Sequence, residues 1–389
     1  MTSKSDTKFS LDMAAHILSI EVEKGSNFLF SPLSFHSMLS LIALGSKGST
    51  LEQLLSYLGS QSVNELISSA SETLSSVLSP STGSNGGPVV SFVNGAWIRH
   101  GLHFKPSFKE LVSGIYHATV QEVDFVINKG NNVVNEVNSW AESASNGLIK
   151  DLLPQGSLES DTALVLANAL YFKGAWDRRF DESKTQHKEF YLLDGQIVQV
   201  PFMTIRSDHK NLYGSYDGYK VLQLPYQSGL DNMRFSMYFF LPDARDGLAA
   251  LVEKLRSNPK AFDGPLSLRE ENLRLFWVPR FKFAFNFEAS KTMQELGLEL
   301  PFKDTGELSE MVDSAWPPVL SKLFHKAYIE VNEEGTEAAV STCSQYRLRC
   351  GRLGAPTFVA DHPFIFIIKE ENSGLLLFIG AVLDPHLVS

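Results

Sequence analysis

The side chains best suited to chemistry in this sequence are two cysteines and three arginines, all within one stretch near the C-terminus. Cys343 and Cys350 are the only cysteines among the 389 residues, and Arg347, Arg349 and Arg352 lie around the second of them. A cysteine thiolate can act as a nucleophile when a base and an orienting group assist it. Clustered arginines are often no more than a solvated basic surface. The surrounding sequence therefore has to show which chemistry is possible.

That sequence disfavours an enzyme. Neither cysteine follows a strand or opens a recognisable helix, and no accompanying histidine and asparagine signature occurs. Zinc-ligand spacings, a phosphate-binding loop, a GxSxG motif and an HExxH motif are also absent. We therefore expect no enzymatic activity, no catalytic residue, no metal ion and no cofactor.

The stretch that holds these side chains, residues 330–364, has the pattern of a segment that can become a strand. Strand-like sequences flank it at 328–331 and 364–368. An irregular segment of this length inside a domain is usually either functional or disordered. Small residues occupy every second position and would share one face of an extended chain; they are Thr336, Ala338, Val340, Thr342 and Ser344. A disordered linker has no reason to keep this alternation, so we predict that the segment enters a sheet.

Composition indicates a soluble globular protein with a large core. Hydrophobic residues make up 43% of the chain, and the net charge of −10 disfavours binding to nucleic-acid phosphates. No run is apolar enough to span a membrane. A signal-peptide pattern and Asn-x-Ser/Thr acceptors are absent, and the two cysteines fit free thiols. We therefore expect a cytoplasmic protein that binds neither nucleic acid nor membrane, with export by an unconventional route left open.

The order of the predicted elements indicates one α+β domain. Helices are predicted early, at 8–24 and 32–44, whereas strand-like segments dominate later. The apolar run at 162–176 is typical of a central strand that is covered on both faces. Residues 79–88 form a flexible connection and not a domain boundary, because strand-like sequence resumes directly after them. The prediction is therefore a single domain of residues 1–389.

Several motifs, in a consistent order along nearly the whole chain, resemble signatures of the serpin family of protease inhibitors. They are EEGTEAA at 333–339, HPF at 362–364, NFLFSPLS at 27–34, NALYFKGAW at 168–176, LFWVPRFKFAF at 275–285 and FIGAV at 378–382. The core Leu348-Arg349-Cys350 is similar to the plant branch of this family in particular. The resemblance implies an α+β fold with three β-sheets, about nine helices and an exposed reactive-centre loop at about residues 333–356.

The same resemblance assigns roles to residues of the loop. Counting from the hinge at Gly335 places the bond that a protease attacks between Arg349 and Cys350, with Arg347 and Leu348 tuning specificity. The hinge that must enter the sheet consists of small or acidic residues: Glu333, Glu334, Gly335, Thr336, Glu337, Ala338 and Ala339. The next residue, Val340, departs slightly from the small residues of the family but is compatible with a strand.

Four polar residues in apolar surroundings also gain a role from the resemblance: Ser31, Ser34, Asn168 and His325. Each alone could be a helix cap or an ordinary buried group with satisfied hydrogen bonds. In a serpin they correspond to the shutter cluster, a hydrogen-bonded group under the central sheet where its strands part. Trp176 would lie at the breach, where the loop first enters the sheet. There we expect Glu333 to pair with a basic residue such as Lys282.

The function that this resemblance implies is suicide-substrate inhibition of proteases that cleave after arginine. The protease would form a covalent acyl-enzyme at Arg349, and the cleaved loop would insert into the central sheet as a new strand. Trypsin-like serine proteases fit this specificity, and papain-like cysteine proteases and plant metacaspases also accept arginine. We expect a monomer. The alternative is a non-inhibitory serpin that serves as a carrier, chaperone or store, although the small hinge residues favour insertion.

Overall fold

A computed structural model describes residues 8–77, 87–126, 130–145, 147, 149–205, 210–229, 233–257, 266–336 and 355–387. The reactive bond of Arg349 and Cys350 and the neighbouring Arg347 and Leu348 lie outside the described residues. The same holds for the distal hinge residues Glu337, Ala338 and Ala339. The hinge up to Thr336 and the chain from Ala355 onward are described.

Eight α-helices occur in the described residues. They are α1 (Lys8–Lys24), α2 (Pro32–Leu44), α3 (Gly48–Leu58), α4 (Val63–Val77), α5 (Pro106–Tyr116), α6 (Asn131–Ala144), α7 (Leu248–Ser257) and α8 (Ser290–Glu295), with short 3-10 helices at Glu182–Lys184 and Leu300–Phe302. Helix α2 begins with a side-chain cap: the Ser31 hydroxyl accepts a hydrogen bond from the Ser34 amide, and Pro32 takes the first helical position. None of these helices is long and apolar enough to cross a membrane.

The strands of the described residues form three sheets. In chain order the strands are β1 (Phe28–Phe30), β2 (Val89–Arg99), β3 (Ala118–Val123), β4 (Leu164–Ala175), β5 (Gln186–Tyr191), β6 (Ile197–Met203), β7 (Lys210–Tyr216), β8 (Tyr219–Pro225), β9 (Phe235–Pro242), β10 (Arg269–Asn272), β11 (Leu275–Pro279), β12 (Phe281–Glu288), β13 (Lys322–Val331), β14 (Gly335–Thr336), β15 (Thr357–Val359), β16 (Phe364–Glu370) and β17 (Leu376–Val382). The central sheet has the order β12-β13-β14-β4-β2-β3. The second has the order β1-β17-β16-β9-β8-β7-β10, and the third β15-β11-β6-β5. The three sheets and eight helices confirm the expected α+β fold.

At one end of the central sheet the neighbouring strands β13 and β4 move apart. Strands β13 and β4 run parallel and pair directly, with residues 322–328 opposite residues 165–171. Beyond this region the two-residue strand β14 lies between them, with Thr336 opposite Val331 on one side and Gly174 on the other. The short strand β14 thus separates β13 from β4 at this end, whereas the two strands pair directly along residues 322–328 and 165–171.

Both faces of the central sheet are covered, which explains why β4 is apolar over nearly its whole length. On one face Leu166 belongs to the main core, which includes α2 and the seven-stranded sheet. On the other face Ala167 forms an apolar cluster with Val137 of α6 and Leu152 of the segment that follows this helix. Because side chains alternate along a strand, neighbouring residues of β4 enter different cores.

The far end of the loop is held by a different sheet. Strand β15 lies at the edge of the four-stranded sheet and runs parallel to β11, with Thr357 opposite Leu275. The two described ends of the loop are therefore anchored in different sheets, Thr336 in the central sheet and Thr357 in the four-stranded sheet. Cleavage between the two anchors would free the first to move without the second.

Candidate functional site

The start of the loop already lies inside the central sheet. Gly335 pairs with Ala175 and Thr336 pairs with Gly174, while β13 lies on the other side. The Thr336 side chain is only 1% exposed, and its hydroxyl forms a 2.8 Å hydrogen bond with the phenol of Tyr226. Burial raises the pKa of Tyr226, so the phenol keeps its proton. The first hinge residues therefore occupy the gap that a longer strand would have to enter.

Position 335 requires glycine because β4 lies against its backbone. A Cβ at Gly335 would lie 2.0 Å from the carbonyl oxygen of Gly174 and 2.7 Å from the Cα of Ala175. Both are backbone atoms, and neither can move without disturbing the pairing of β4. The glycine in the hinge pattern thus has a steric cause.

Trp176 lies at the breach, the opening between β13 and β4 through which the loop enters. Its indole N–H donates to the carbonyl oxygen of Asn332 at 2.9 Å. Its backbone N–H donates to the carbonyl oxygen of Glu334, also at 2.9 Å. The ring is buried and stacks on Tyr226 with 4.5 Å between centroids. Trp176 is thus more than ordinary core, because it binds the hinge backbone on both sides of Glu333.

Glu333 pairs with a basic residue, as expected, but Lys282 was the wrong residue to name, because the partner is Arg280. Its carboxylate is 2% exposed and lies 2.5 Å from Nη2 and 2.6 Å from Nε of Arg280. The Thr185 hydroxyl donates to the same carboxylate. Lys282 instead lies directly across from Glu330 and binds it at 2.8 Å. Arg280 precedes β12 by one residue and so reaches past the end of β13 to the hinge.

The Glu333–Arg280 pair gives a first prediction about stability. Arg280→Met should destabilise the protein by about 3 kcal/mol, because it leaves a buried carboxylate without its cation. Lys282→Met is the matched control and should cost no more than about 1 kcal/mol, since the carboxylate of its partner Glu330 is 24% exposed and keeps contact with water. Urea unfolding of both variants measures the difference. Equal losses would show that the hinge does not depend on Arg280.

The four polar residues of the shutter cluster meet under the central sheet. Asn168 of β4 and His325 of β13 lie opposite each other, with 3.2 Å between Oδ1 and Nδ1. The Ser34 hydroxyl donates to the same Oδ1, and the imidazole Nε2 accepts from the Ser31 amide at 3.3 Å. All four residues are fully buried. The cluster therefore joins β4 and β13 to each other and to the start of α2.

The contacts of His325 fix its protonation. Nδ1 faces an amide oxygen and must carry the proton, whereas Nε2 accepts a hydrogen bond and must not. Burial lowers the pKa of His325 to about 3 from 6.5. Because the folded-state pKa lies below the ordinary value, the stability from this residue is present above pH 6.5 and is lost as the pH falls toward 3.

The cluster extends to two further residues that the sequence did not reveal, Asn94 and Tyr116. The amide of Asn168 donates to Oδ1 of Asn94 at 2.5 Å, and the amide of Asn94 donates to the carbonyl oxygen of Tyr116 at 3.0 Å. Asn94 lies directly opposite Asn168 in β2. A lone amide within an apolar strand was the signal that could have identified Asn94. The network thus runs from β13 across β4 and β2 to the end of α5.

A second prediction tests whether this cluster keeps the sheet closed. His325→Ala removes the acceptor of the Ser31 amide, at a cost of roughly 1–3 kcal/mol. The sheet should then open more readily and accept the loop of another molecule, in a head-to-tail arrangement that does not close. We expect soluble polymers after mild heating, measured by size-exclusion chromatography. A peptide with the sequence of residues 336–349 should suppress them by occupying the gap.

His362→Ala is the matched control for this prediction. His362 is also buried and also uses both ring nitrogens, toward Asp361 and the carbonyl oxygen of Pro242, but it lies outside the central sheet. This variant should unfold earlier without forming polymers. If His325→Ala also stays monomeric, or aggregates regardless of the peptide, His325 has only a structural role.

The geometry of the breach and the shutter cluster suits the movement of a strand and not the making or breaking of covalent bonds. Hydrogen bonds and the ion pair between Arg280 and the buried carboxylate of Glu333 hold the hinge at the end of two strands that can separate. In the described part of the chain, no three His, Cys, Asp or Glu side chains form a group that could hold a metal ion. What these residues can do is control the entry of a strand.

Comparison with known proteins establishes the family. The family model described as Serpin (serine protease inhibitor) matches residues 4–385. The chain belongs to the serpin family. It is similar to Serpin-ZX of Arabidopsis thaliana, with 48% identity over 97% of this chain and 96% of that protein. It is also similar to Serpin-ZXA of Oryza sativa subsp. japonica, with 45% identity over 98% of this chain and 97% of that protein.

Solved structures agree with this assignment. The native stressed conformation of Arabidopsis AtSerpin1 has 45% sequence identity and a TM-score of 0.87, and the match covers 98% of this chain and 97% of that one. Cleaved Serpin 42Da has 30% identity and a TM-score of 0.78, covering 99% of this chain and 96% of that one. Serpins are mostly protease inhibitors and not catalytic enzymes. In this serpin residues 165–171 of β4 pair directly with residues 322–328 of β13. No loop strand therefore lies between these residues, and the described sheet is in the state before insertion of the loop.

Proposed function

We propose that this serpin is a suicide-substrate inhibitor of endopeptidases that cleave after arginine, with Arg349–Cys350 as the bait bond. The observation that carries the proposal is the position of Gly335 and Thr336 between β13 and β4. A hinge that already occupies the end of the gap can extend into a full strand once the loop is cut. The small hinge side chains permit this extension, which favours an inhibitor over a carrier or storage protein.

The chemistry belongs to the protease. Its nucleophile attacks the carbonyl carbon of Arg349, the bond to the Cys350 nitrogen breaks, and Cys350 leaves as a free amine. The chain up to Arg349 stays attached to the protease as an acyl-enzyme. Water would complete the hydrolysis, so trapping requires that insertion of the loop be faster than this step.

The pairing of Thr336 defines the register of a longer inserted strand. If the strand continues from Thr336 in the same antiparallel register, Thr342 comes to lie opposite His325 on one side and Asn168 on the other. Paired residues share a face of the sheet, so the three side chains would be neighbours. A threonine hydroxyl both donates and accepts, so it can take the place of the direct contact between imidazole and amide. The hydrogen bond that joins the two strands can therefore be exchanged and not merely lost.

Insertion would release enough free energy to drag the attached protease. About a dozen new backbone hydrogen bonds at about 1 kcal/mol each give a driving force on the order of 10 kcal/mol, before side-chain burial is added. This is comparable to the whole stability of an ordinary domain, about 5–15 kcal/mol. Distortion of the protease active site by the moving strand is thus energetically reasonable.

The targets we propose are arginine-specific serine proteases, together with papain-like cysteine proteases and metacaspases that accept arginine. We also propose that the inhibitor acts as a monomer in the cytoplasm. A panel of one protease from each class, incubated with this serpin, tests the function. A complex that survives a denaturing gel supports inhibition, whereas no complex with any of them would favour the carrier, chaperone or storage alternative.

A further inference from the structure

One side chain closes the turn between β13 and the hinge. Asn332 follows β13 directly, and its side-chain oxygen accepts hydrogen bonds from the amides of Glu334 at 3.0 Å and Gly335 at 3.2 Å. The backbone N–H of Asn332 donates to the carbonyl oxygen of Gly335 at 3.0 Å. Asparagine commonly builds tight turns by binding the backbone two residues ahead. The shape of this turn therefore depends on the Asn332 side chain.

The turn sets the direction and the register of the hinge. It reverses the chain after Val331, so that Thr336 returns opposite that residue and antiparallel to β13. Trp176 of the breach holds the turn from the other side, through the carbonyl oxygens of Asn332 and Glu334. A strand that continues from Thr336 needs no further reversal of the chain.

We propose that Asn332 is a positioning residue for loop insertion, because its side chain holds the turn from which the inserted strand grows. The inference rests on the proposed function, in which insertion competes with hydrolysis of the acyl-enzyme. Ordering a turn costs backbone entropy before later hydrogen bonds compensate for it. Because the turn is already closed, insertion only has to extend an existing strand. It therefore begins without the entropy cost of forming the turn.

Loss of the Asn332 side chain should affect insertion more than folding. Without it, the amides of Glu334 and Gly335 lose their acceptor within the turn, and the hinge can leave the gap. After cleavage the turn would have to form again while the acyl-enzyme is being hydrolysed. More molecules would then be cut and released without trapping the protease.

The chain offers a matched control for Asn332→Ala. The side-chain oxygen of Asn27 also accepts from two consecutive backbone amides, those of Leu383 at 2.8 Å and Asp384 at 3.0 Å. Asn27 lies next to β1 in the seven-stranded sheet, so Asn27→Ala should lower stability without slowing insertion. Asn332→Asp keeps an acceptor oxygen in the turn and should restore most of the wild-type behaviour.

Two measurements separate this inference from the proposed function. With bovine trypsin, Asn332→Ala should raise the number of molecules consumed per trypsin inactivated about tenfold, the factor for one to two lost hydrogen bonds. The rate of loop cleavage should stay within about twofold, since Asn332 is 17 positions away from Arg349 along the chain. The second measurement cuts the loop with thermolysin and follows how fast the cut protein gains resistance to heat, which reports insertion without trapping.

The outcomes are distinct. Equal rates of heat-resistance gain for wild type and Asn332→Ala would overturn the role of Asn332, whatever trypsin shows. An equal slowing by Asn27→Ala would overturn it too, because general stability would then be the cause. If wild type fails to trap trypsin while Asn332→Ala still inserts more slowly, the proposed function fails and the role of Asn332 stands. A cut wild type that gains no heat resistance would overturn both.

Discussion

Replacing Arg349 by Glu should abolish the trapping of trypsin, with a loss of at least about 10³-fold in the inhibition rate constant. In the proposed mechanism the Arg349 side chain enters an acid-lined pocket of the protease. A glutamate there would place like charges together, which costs several kcal/mol, and each 1.4 kcal/mol corresponds to about tenfold in rate. Progress curves of trypsin activity at several inhibitor concentrations give the rate constants of wild type and variant.

Arg352→Glu is the matched control, with the same change of charge on the other side of the bait bond. We expect an effect of less than about tenfold, because exposed charges outside the specificity pocket are screened by salt. If Arg352→Glu abolishes inhibition and Arg349→Glu does not, the bait bond lies elsewhere in the loop. That result would leave the insertion mechanism intact but correct the position of the reactive bond.

Thr336→Arg should convert the inhibitor into a substrate. Thr336 is 1% exposed between β13 and β4, and its hydroxyl is bound to Tyr226. Burying a guanidinium in this site costs several kcal/mol, so the hinge should leave the gap and insertion should become slower than hydrolysis. We expect at least about tenfold more protein consumed per trypsin inactivated, measured as the ratio of cleaved to complexed protein on denaturing gels.

Thr336→Ser is the control for this change, because it keeps a small side chain with a hydroxyl group. It should trap trypsin within about twofold of wild type, since one buried methyl group contributes only about 1 kcal/mol. The bait bond should be cut at similar rates in all three proteins. Undiminished complex formation by Thr336→Arg would contradict insertion between β13 and β4.

The sequence indicated the polar residues under the sheet because such residues are conspicuous in apolar runs. Asn168 lies in the middle of β4, and His325 in β13, each among buried hydrophobic neighbours. Periodicity alone could not place them together, since 157 positions separate them along the chain. The resemblance to a known family supplied that contact. Asn94 carries the same kind of signal in β2, and it shows that one amide in a strand is too weak a pattern by itself.

The side-chain pairs between neighbouring strands could not be predicted from the sequence. Glu333 was expected to pair with a basic residue such as Lys282, but the register of β12 against β13 places Lys282 opposite Glu330. Arg280, only two residues earlier, binds Glu333 instead. A register is set by the packing of whole strands, and a shift of one residue changes every pair in the ladder. The turn made by Asn332 was missed for a similar reason, because its role depends on where β4 lies.

The mass of the denatured product with trypsin tests the central claim most directly. Wild-type protein is incubated with trypsin, unfolded in guanidinium chloride and analysed by intact-mass spectrometry. We predict one covalent adduct of trypsin with residues 1–349, and a separate fragment of residues 350–389 that begins at Cys350. Recovery of free, active trypsin together with residues 1–349 that carry no adduct would contradict the claim, because the loop would then be cut without trapping the protease.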